Sequence, residues 1–274
     1  MLLPQPKSQT STRSDYFVDN TEFHHVVQLY DFDNAIKLLA LEAIQHIEIA
    51  MRTQIAYTLG KYNPLAHLDC LYFKQSFKHE DWLSRYYTTV VRELDNDRKS
   101  QIHKGFALHN KETYGTLPIW VACEIWDFGA MSKLYAQMKP HDKQTIEHEF
   151  NLFNDELSGH LKAFNFVRNI AAHHGRLWNK HLINRPRISP LIDANNPQWQ
   201  KLNNQNCRNH VFVIFCLMQC MLKVICPMSD WGVRFQAALK KFPNHSANTM
   251  EISLDKMGMG GLSLTDLSNW DLWK

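Results

Sequence analysis

The chain has 274 residues, 45% of them hydrophobic, enough for one large domain or two small ones around a sizeable core. A formal charge of +3 excludes a general polycation, so any nucleic-acid site has to be a local patch. Fifteen histidines hold further positive charge in reserve below about pH 6.5.

In chain order, residues 1–30 read as a mostly disordered or extended lead rich in Ser, Thr, Pro and Gln. Residues 1–20 lack the apolar run of a signal peptide. Asp31 or Asp33 is the expected cap of a long helix with apolar positions Ile36, Leu39, Ala43, Ile44, Ile47 and Ile55, ended by Gly60 and Asn63-Pro64. Glu48 and Arg52 stand four apart and can form a plain helical ion pair. The sharper reading of Glu48 is a core carboxylate that orients Arg168.

Residues 79–94 form an amphipathic helix with Trp82, Leu83, Tyr86, Val90 and Leu94 on one side. A charged stretch follows at 95–99, then a helical continuation over 102–111 that Gly115 breaks. Pro118 is expected in the first turn of a helix that runs on to Met138 and is stopped by Pro140. Glu124 and Asp127 share a side of it, and with no histidine at matching spacing they read as ion-pairing groups, not metal ligands. A short helix covers 143–150, and Asn154 or Asp155 caps the next, which carries Leu157, Leu161, Phe164 and Val167. Residues 182–197 hold Pro186, Pro190 and Pro197 and read as a surface loop. Residues 211–226 are the most apolar run, shorter than the roughly 20 residues of a membrane span, and read as a buried helix ended by Pro227. A shorter helix covers 231–242, and residues 244–274 form a tail that packs on the domain. The cysteines, Cys70, Cys123, Cys207, Cys216, Cys220 and Cys226, contain no CxxC pair and read as reduced groups of a cytoplasmic protein. No internal repeat, long alternating strand pattern or glycine-rich phosphate loop is present.

The densest chemistry lies at residues 164–180, FNFVRNIAAHHGRLWNK. Phe164, Val167, Ala171 and Ala172 share one side of a helix, with Arg168 on or beside it. A guanidinium there needs an anion or acceptor. His173 and His174 lie about 140° and about 240° round the helix from Arg168, so one straight helix brings neither to it. Either the helix ends near Gly175, or Arg168 and a histidine meet groups of another element or chain. Arginine grips phosphate with two parallel donors, and histidine moves protons near neutral pH. Together, with no metal cage in view, they suit RNA cleavage by attack of the ribose 2′-hydroxyl. The competing reading is a satisfied structural polar cluster, with Trp178 a packing residue and Arg176 and Lys180 a solvated helix end. Arg185 and Arg187, with Arg176 and Lys180, make the densest basic patch near the motif and suit phosphate contacts.

The segment RNIAAHHGRLWNK resembles the signature of the Abi-like (abortive infection) proteins of bacteria, and Arg168, Asn169 and His173 fit the arginine-to-histidine spacing of the HEPN ribonucleases. EAIQHIEIAMRTQIAYTLG (residues 42–60) is similar to that family's first long helix, and YGTLPIWVACEIWDFGAMSKLY (residues 114–135) to its middle signature. The resemblance implies an all-α fold, a HEPN-like helical bundle over residues 31–243 with flanking helices. It also implies a metal-independent endoribonuclease of phage defence that uses no cofactor. By that motif Arg168 and His173 are the catalytic pair. Asn169, His174, Arg176, Trp178, Asn179, Lys180 and Glu48 are supporting or substrate-binding groups. RNA is the implied partner, with a homodimer sharing a composite site, a possible protein or RNA regulator, and no membrane. The alternative is a non-catalytic RNA- or protein-binding module of a defence complex.

Overall fold

Helix α1 (Phe23–Gly60) is the axis on which the other helices are laid. The computed structural model describes residues 22–99, 105–183, 185–188, 196–243, 245–247 and 250–274. Helix α1 starts eight residues ahead of the expected Asp31, so residues 23–30 are helical, not extended lead. The reason is at Asp33. Its side chain is buried and committed to distant partners, so it does not cap a helix start. The lead's residues 1–21, residues 102–104 of the expected second-helix continuation, and Pro190 lie outside the described residues.

The fold is all-α. After α1 come α2 (His79–Lys99), α3 (Phe106–Tyr114), α4 (Ile119–Ala122), α5 (Phe128–Gln137), α6 (Pro140–Glu149) and α7 (Glu156–Ala172). Then follow α8 (Pro197–Leu202), α9 (Gln205–Arg208), α10 (Phe212–Ile225), α11 (Trp231–Lys240) and α12 (Leu264–Asn269). Two three-residue strands, β1 (His245–Ala247) and β2 (Met250–Ile252), pair antiparallel with Ala247 opposite Met250. No sequence periodicity announced them, because three residues are too few to show one.

The core is built against α1, whose Ile36, Ala40, Ala43, Ile47, Met51 and Ile55 are sealed from solvent. Helix α10 is buried on nearly every side, as its unbroken apolar sequence requires. An aromatic stack joins it to α11 and the tail. Phe215 and Phe235 lie 4.5 Å apart between centroids, and Phe235 and Trp273 lie 5.1 Å apart. Such rings contribute through burial and through offset stacking. Trp231 Nε1–H donates to the Leu39 carbonyl at 2.8 Å and ties α11 to α1. Gln219 Nε2–H donates to the Leu272 carbonyl at 3.1 Å and holds the tail down. All six cysteines are free. Among the described residues, no helix is long and apolar enough to cross a membrane.

The expected helix from Pro118 to Met138 is broken in two. Pro118 is the N-cap of α4, and a 3-10 turn at Cys123–Ile125 leads to extended Trp126. Asp127 then starts α5 afresh, its Oδ1 accepting the Ala130 N–H at 2.6 Å. An aspartate that can cap is a standing alternative to helix continuation. The break also frees the Trp126 carbonyl, which accepts from the Arg52 guanidinium. Pro140 does not merely stop a helix but opens α6 at its first turn.

Two buried histidines make stability depend on pH. His160 donates from Nε2 to the Arg187 carbonyl at 2.8 Å, and His67 sits against Tyr86 at 3.4 Å. Burial lowers each to about 4 from the usual 6.5. Both stay neutral when folded and charge readily when unfolded. Unfolding therefore takes up protons between pH 6.5 and about 4, and stability falls as pH falls through that window. Each contributes up to about 1.4 kcal/mol per pH unit. Thermal midpoints measured from pH 7 to pH 4 are expected to drop, and the drop to shrink in a His160→Phe variant. An equal drop in both proteins would rule out His160 as a source.

Candidate active site

Helix α7 presents its motif because its two ends are fixed from outside. At the start, Asp155 takes the N-cap position with φ of 60°, but its side chain does not cap. Its carboxylate instead meets Lys143 and Ser158. The capping group is Glu147 of α6, whose two oxygens accept the Asp155 and Leu157 N–H groups, each at 3.1 Å. A carboxylate there also complements the positive end of the helix dipole.

At the other end the helix stops at Ala172. His174 N–H donates to the Ala171 carbonyl at 3.2 Å, and Gly175 N–H to the Ile170 carbonyl at 2.8 Å. This is the two-bond Schellman closure, and it puts the left-handed residue at His174, with φ of 56°, not at Gly175. A non-glycine residue in that conformation costs roughly 1–2 kcal/mol. His174→Gly is expected to raise the thermal midpoint and His174→Val to lower it. A fall in the glycine variant would show that the histidine side chain itself stabilises the turn.

The segment after the turn is pinned to α1. Asp33 Oδ1 accepts the N–H groups of Leu177 at 2.9 Å and Trp178 at 2.7 Å. Its Oδ2 pairs with Lys37 Nζ at 3.1 Å, and both side chains are almost completely buried. Leu177 and Trp178 thus enter the core, Trp178 against Phe242 at 5.5 Å between rings. Trp178 is 2% exposed, which fits the packing reading and not a platform for a base to stack on.

The remaining motif residues separate onto two surfaces. Arg168 is half-buried and lines an open cleft of about 640 Å³ between α5 and α7, together with Asn169. Its Nη1 reaches Asn169 Oδ1 at 3.5 Å, the outer limit of a hydrogen bond. Among the described residues no carboxylate forms an ion pair with Arg168. His173 is exposed at the end of α7, and no hydrogen bond joins it to Arg168 among the described residues. His174 and Arg176 are exposed and line a separate pocket of about 220 Å³ against Tyr30 and Lys37. Asn179 is half-buried and Lys180 exposed.

Glu48 is bonded to Arg52 at 2.6 Å, which is the plain helical ion pair. Burial raises its carboxyl, while Arg52 and, more weakly, Arg168 pull it down. It therefore feels Arg168 through space without holding it.

Other cleft residues carried no sequence signal. Arg85, Lys133, Lys162 and Asn165 come from three helices and converge only in the fold. Arg85 reaches the cleft because Trp82, one turn earlier, donates from Nε1 to the Ala130 carbonyl of α5 at 3.1 Å. Among the described residues, no group of three or more His, Cys, Asp or Glu is placed to hold a metal ion.

The model of the Abi-like protein family matches residues 5–179, well over half the chain and all of the motif through Asn179. The chain belongs to the Abi-like protein family. That membership supports a role in abortive-infection defence. Neither a search of curated proteins nor one of solved structures finds a match for this Abi-like protein.

Proposed function

We propose that this Abi-like protein is a metal-independent endoribonuclease of the HEPN type, acting on RNA during phage infection. The observation that carries the reading is Arg168. It is half-buried on an open cleft and has no carboxylate partner among the described residues, five positions before an exposed histidine. A guanidinium kept half-desolvated and unpaired is costly unless an anion completes it.

In the reaction, the imidazole of His173 takes the proton of a ribose 2′-hydroxyl or returns one to the departing 5′-oxygen. Arg168 holds the non-bridging oxygens of the phosphorane with its planar donors. The 2′-oxygen bonds to phosphorus, the P–O5′ bond breaks, and the products end in a cyclic phosphate and a 5′-hydroxyl. Asn169 steadies the guanidinium from the side.

No hydrogen bond joins Arg168 to His173 among the described residues, and the reading includes a homodimer in which the pair is completed by a second copy. A protein or RNA regulator would act by covering that shared surface. The several cations of the cleft also suit a second reading, a binding module with no chemistry of its own. Incubation with RNA in EDTA discriminates them. Cleavage by wild type and none by His173→Ala supports the nuclease. RNA binding without cleavage, unchanged by His173→Ala, supports the module.

A further inference from the structure

The cleft beside Arg168 carries more positive charge than one phosphate needs. Lys133 of α5 and Lys162 of α7 are exposed on its walls, and neither has a carboxylate partner among the described residues. Arg85 is a fourth cation. The cleft's one carboxylate, Asp127, is already spent on both oxygens: Oδ2 meets Arg85 at 2.5 Å and Oδ1 caps α5. Burial raises the Asp127 carboxyl, but the Ala130 N–H and Arg85 outweigh it and hold the group below its ordinary value. It therefore stays ionised and bound to those two groups near neutral pH, and does not neutralise the lysines.

The rest of the lining is suited to a polyanion with flat bases. Lys162, Asn165, Phe166 and Asn169 recur at helical spacing, so a cation, two amides and an aromatic ring share the face of α7 that lines the cleft. Ser132 and Gln137 face them from α5. Helices α5 and α7 pack directly on each other and floor the cleft. Backbone charge with an aromatic face is the usual means of holding a single strand.

We propose that this cleft is the track for the backbone of a single RNA strand, in which Lys133 and Lys162 are positioning residues that hold the phosphates on either side of the one Arg168 meets. The identity of the strand rests on the nuclease reading above, whereas the cleft's affinity for a single-stranded backbone does not. The basic patch legible in the sequence, Arg176, Lys180, Arg185 and Arg187, does not line this cleft and lies off the track.

The test uses the full chain and a labelled single strand that is 2′-deoxy throughout, which 2′-hydroxyl chemistry cannot cut. Affinity is measured across a salt series. The Lys133→Gln/Lys162→Gln variant is expected to bind on the order of tenfold more weakly, with the salt slope reduced by about 0.7 for each lysine. Lys256→Gln, an exposed lysine of the tail, should bind like wild type. With cleavable RNA the double variant should raise KM and leave kcat unchanged. Wild-type affinity in the double variant would overturn the proposal. So would an equal loss in Lys240→Gln/Lys241→Gln, two exposed lysines that do not line the cleft, or equal affinity for a duplex of the same sequence. Loss of strand binding in the double variant, in a protein that cuts no RNA, upholds the cleft and rejects the nuclease. Cleavage with an unchanged KM does the reverse.

Discussion

Asp33→Ala is expected to cost about 3–5 kcal/mol of stability, the largest loss from any single substitution considered. Two losses combine. Lys37 Nζ, at 3.1 Å from the carboxylate, is left as an unpaired cation in the core. The Leu177 and Trp178 N–H groups lose their acceptor. An unsatisfied buried donor costs roughly 1–3 kcal/mol. Domains of this kind hold only about 5–15 kcal/mol in total, so chemical denaturation should show a large shift. Asp33→Asn keeps an acceptor and should fall between. Asp33→Ala with Lys37→Met removes both charges and should recover much of the loss, because an apolar replacement of a buried pair is often near neutral. A loss below about 1 kcal/mol in Asp33→Ala would mean that the segment after His173 is not held from α1.

His173→Ala is expected to lower RNA cleavage by about a hundred- to ten-thousand-fold, the usual contribution of a positioned proton carrier. Because His173 is exposed at a helix end, stability should stay within about 0.5 kcal/mol of wild type. That contrast separates a chemical role from a structural one. Arg168→Ala should be as damaging, and Arg168→Lys should recover little, since an ammonium lacks the planar fork. If the pair is shared between copies, mixing the two inactive proteins should restore part of the activity. Mixed dimers then hold one site with an arginine from one copy and a histidine from the other. No restoration in a demonstrably mixed dimer would place the pair within one chain.

Much of the fold was legible because long apolar patterns dominate it. Ile36 to Ile55 marked α1, the run around Phe215 marked α10, and both are core in the structure. What failed was local competition between side chain and backbone. Asp33 has the sequence look of a cap yet serves partners more than a hundred residues away. Asp127 has the look of a helix-face carboxylate yet caps a new helix. Gly175 has the look of the left-handed stop, but His174 holds that conformation.

The candidate site divides in the same way. Arg168 and His173 stand out because a fixed cation and an imidazole so close in sequence are chemically conspicuous. Trp178 is the packing residue of the structural reading, drawn inward by the backbone bond to Asp33. The cleft itself was invisible, because Arg85, Lys133 and Lys162 are far apart in the chain and each alone is an ordinary solvated side chain. The sequence drew attention instead to basic residues adjacent in the chain.

The most direct measurement is the chemistry of the ends left on RNA cut by wild-type protein in EDTA. A cyclic phosphate on one fragment and a free 5′-hydroxyl on the other, both absent with His173→Ala, is the expected result. Fragments bearing a 5′-phosphate and a 3′-hydroxyl, or the same cyclic ends from His173→Ala at wild-type rate, would contradict the account.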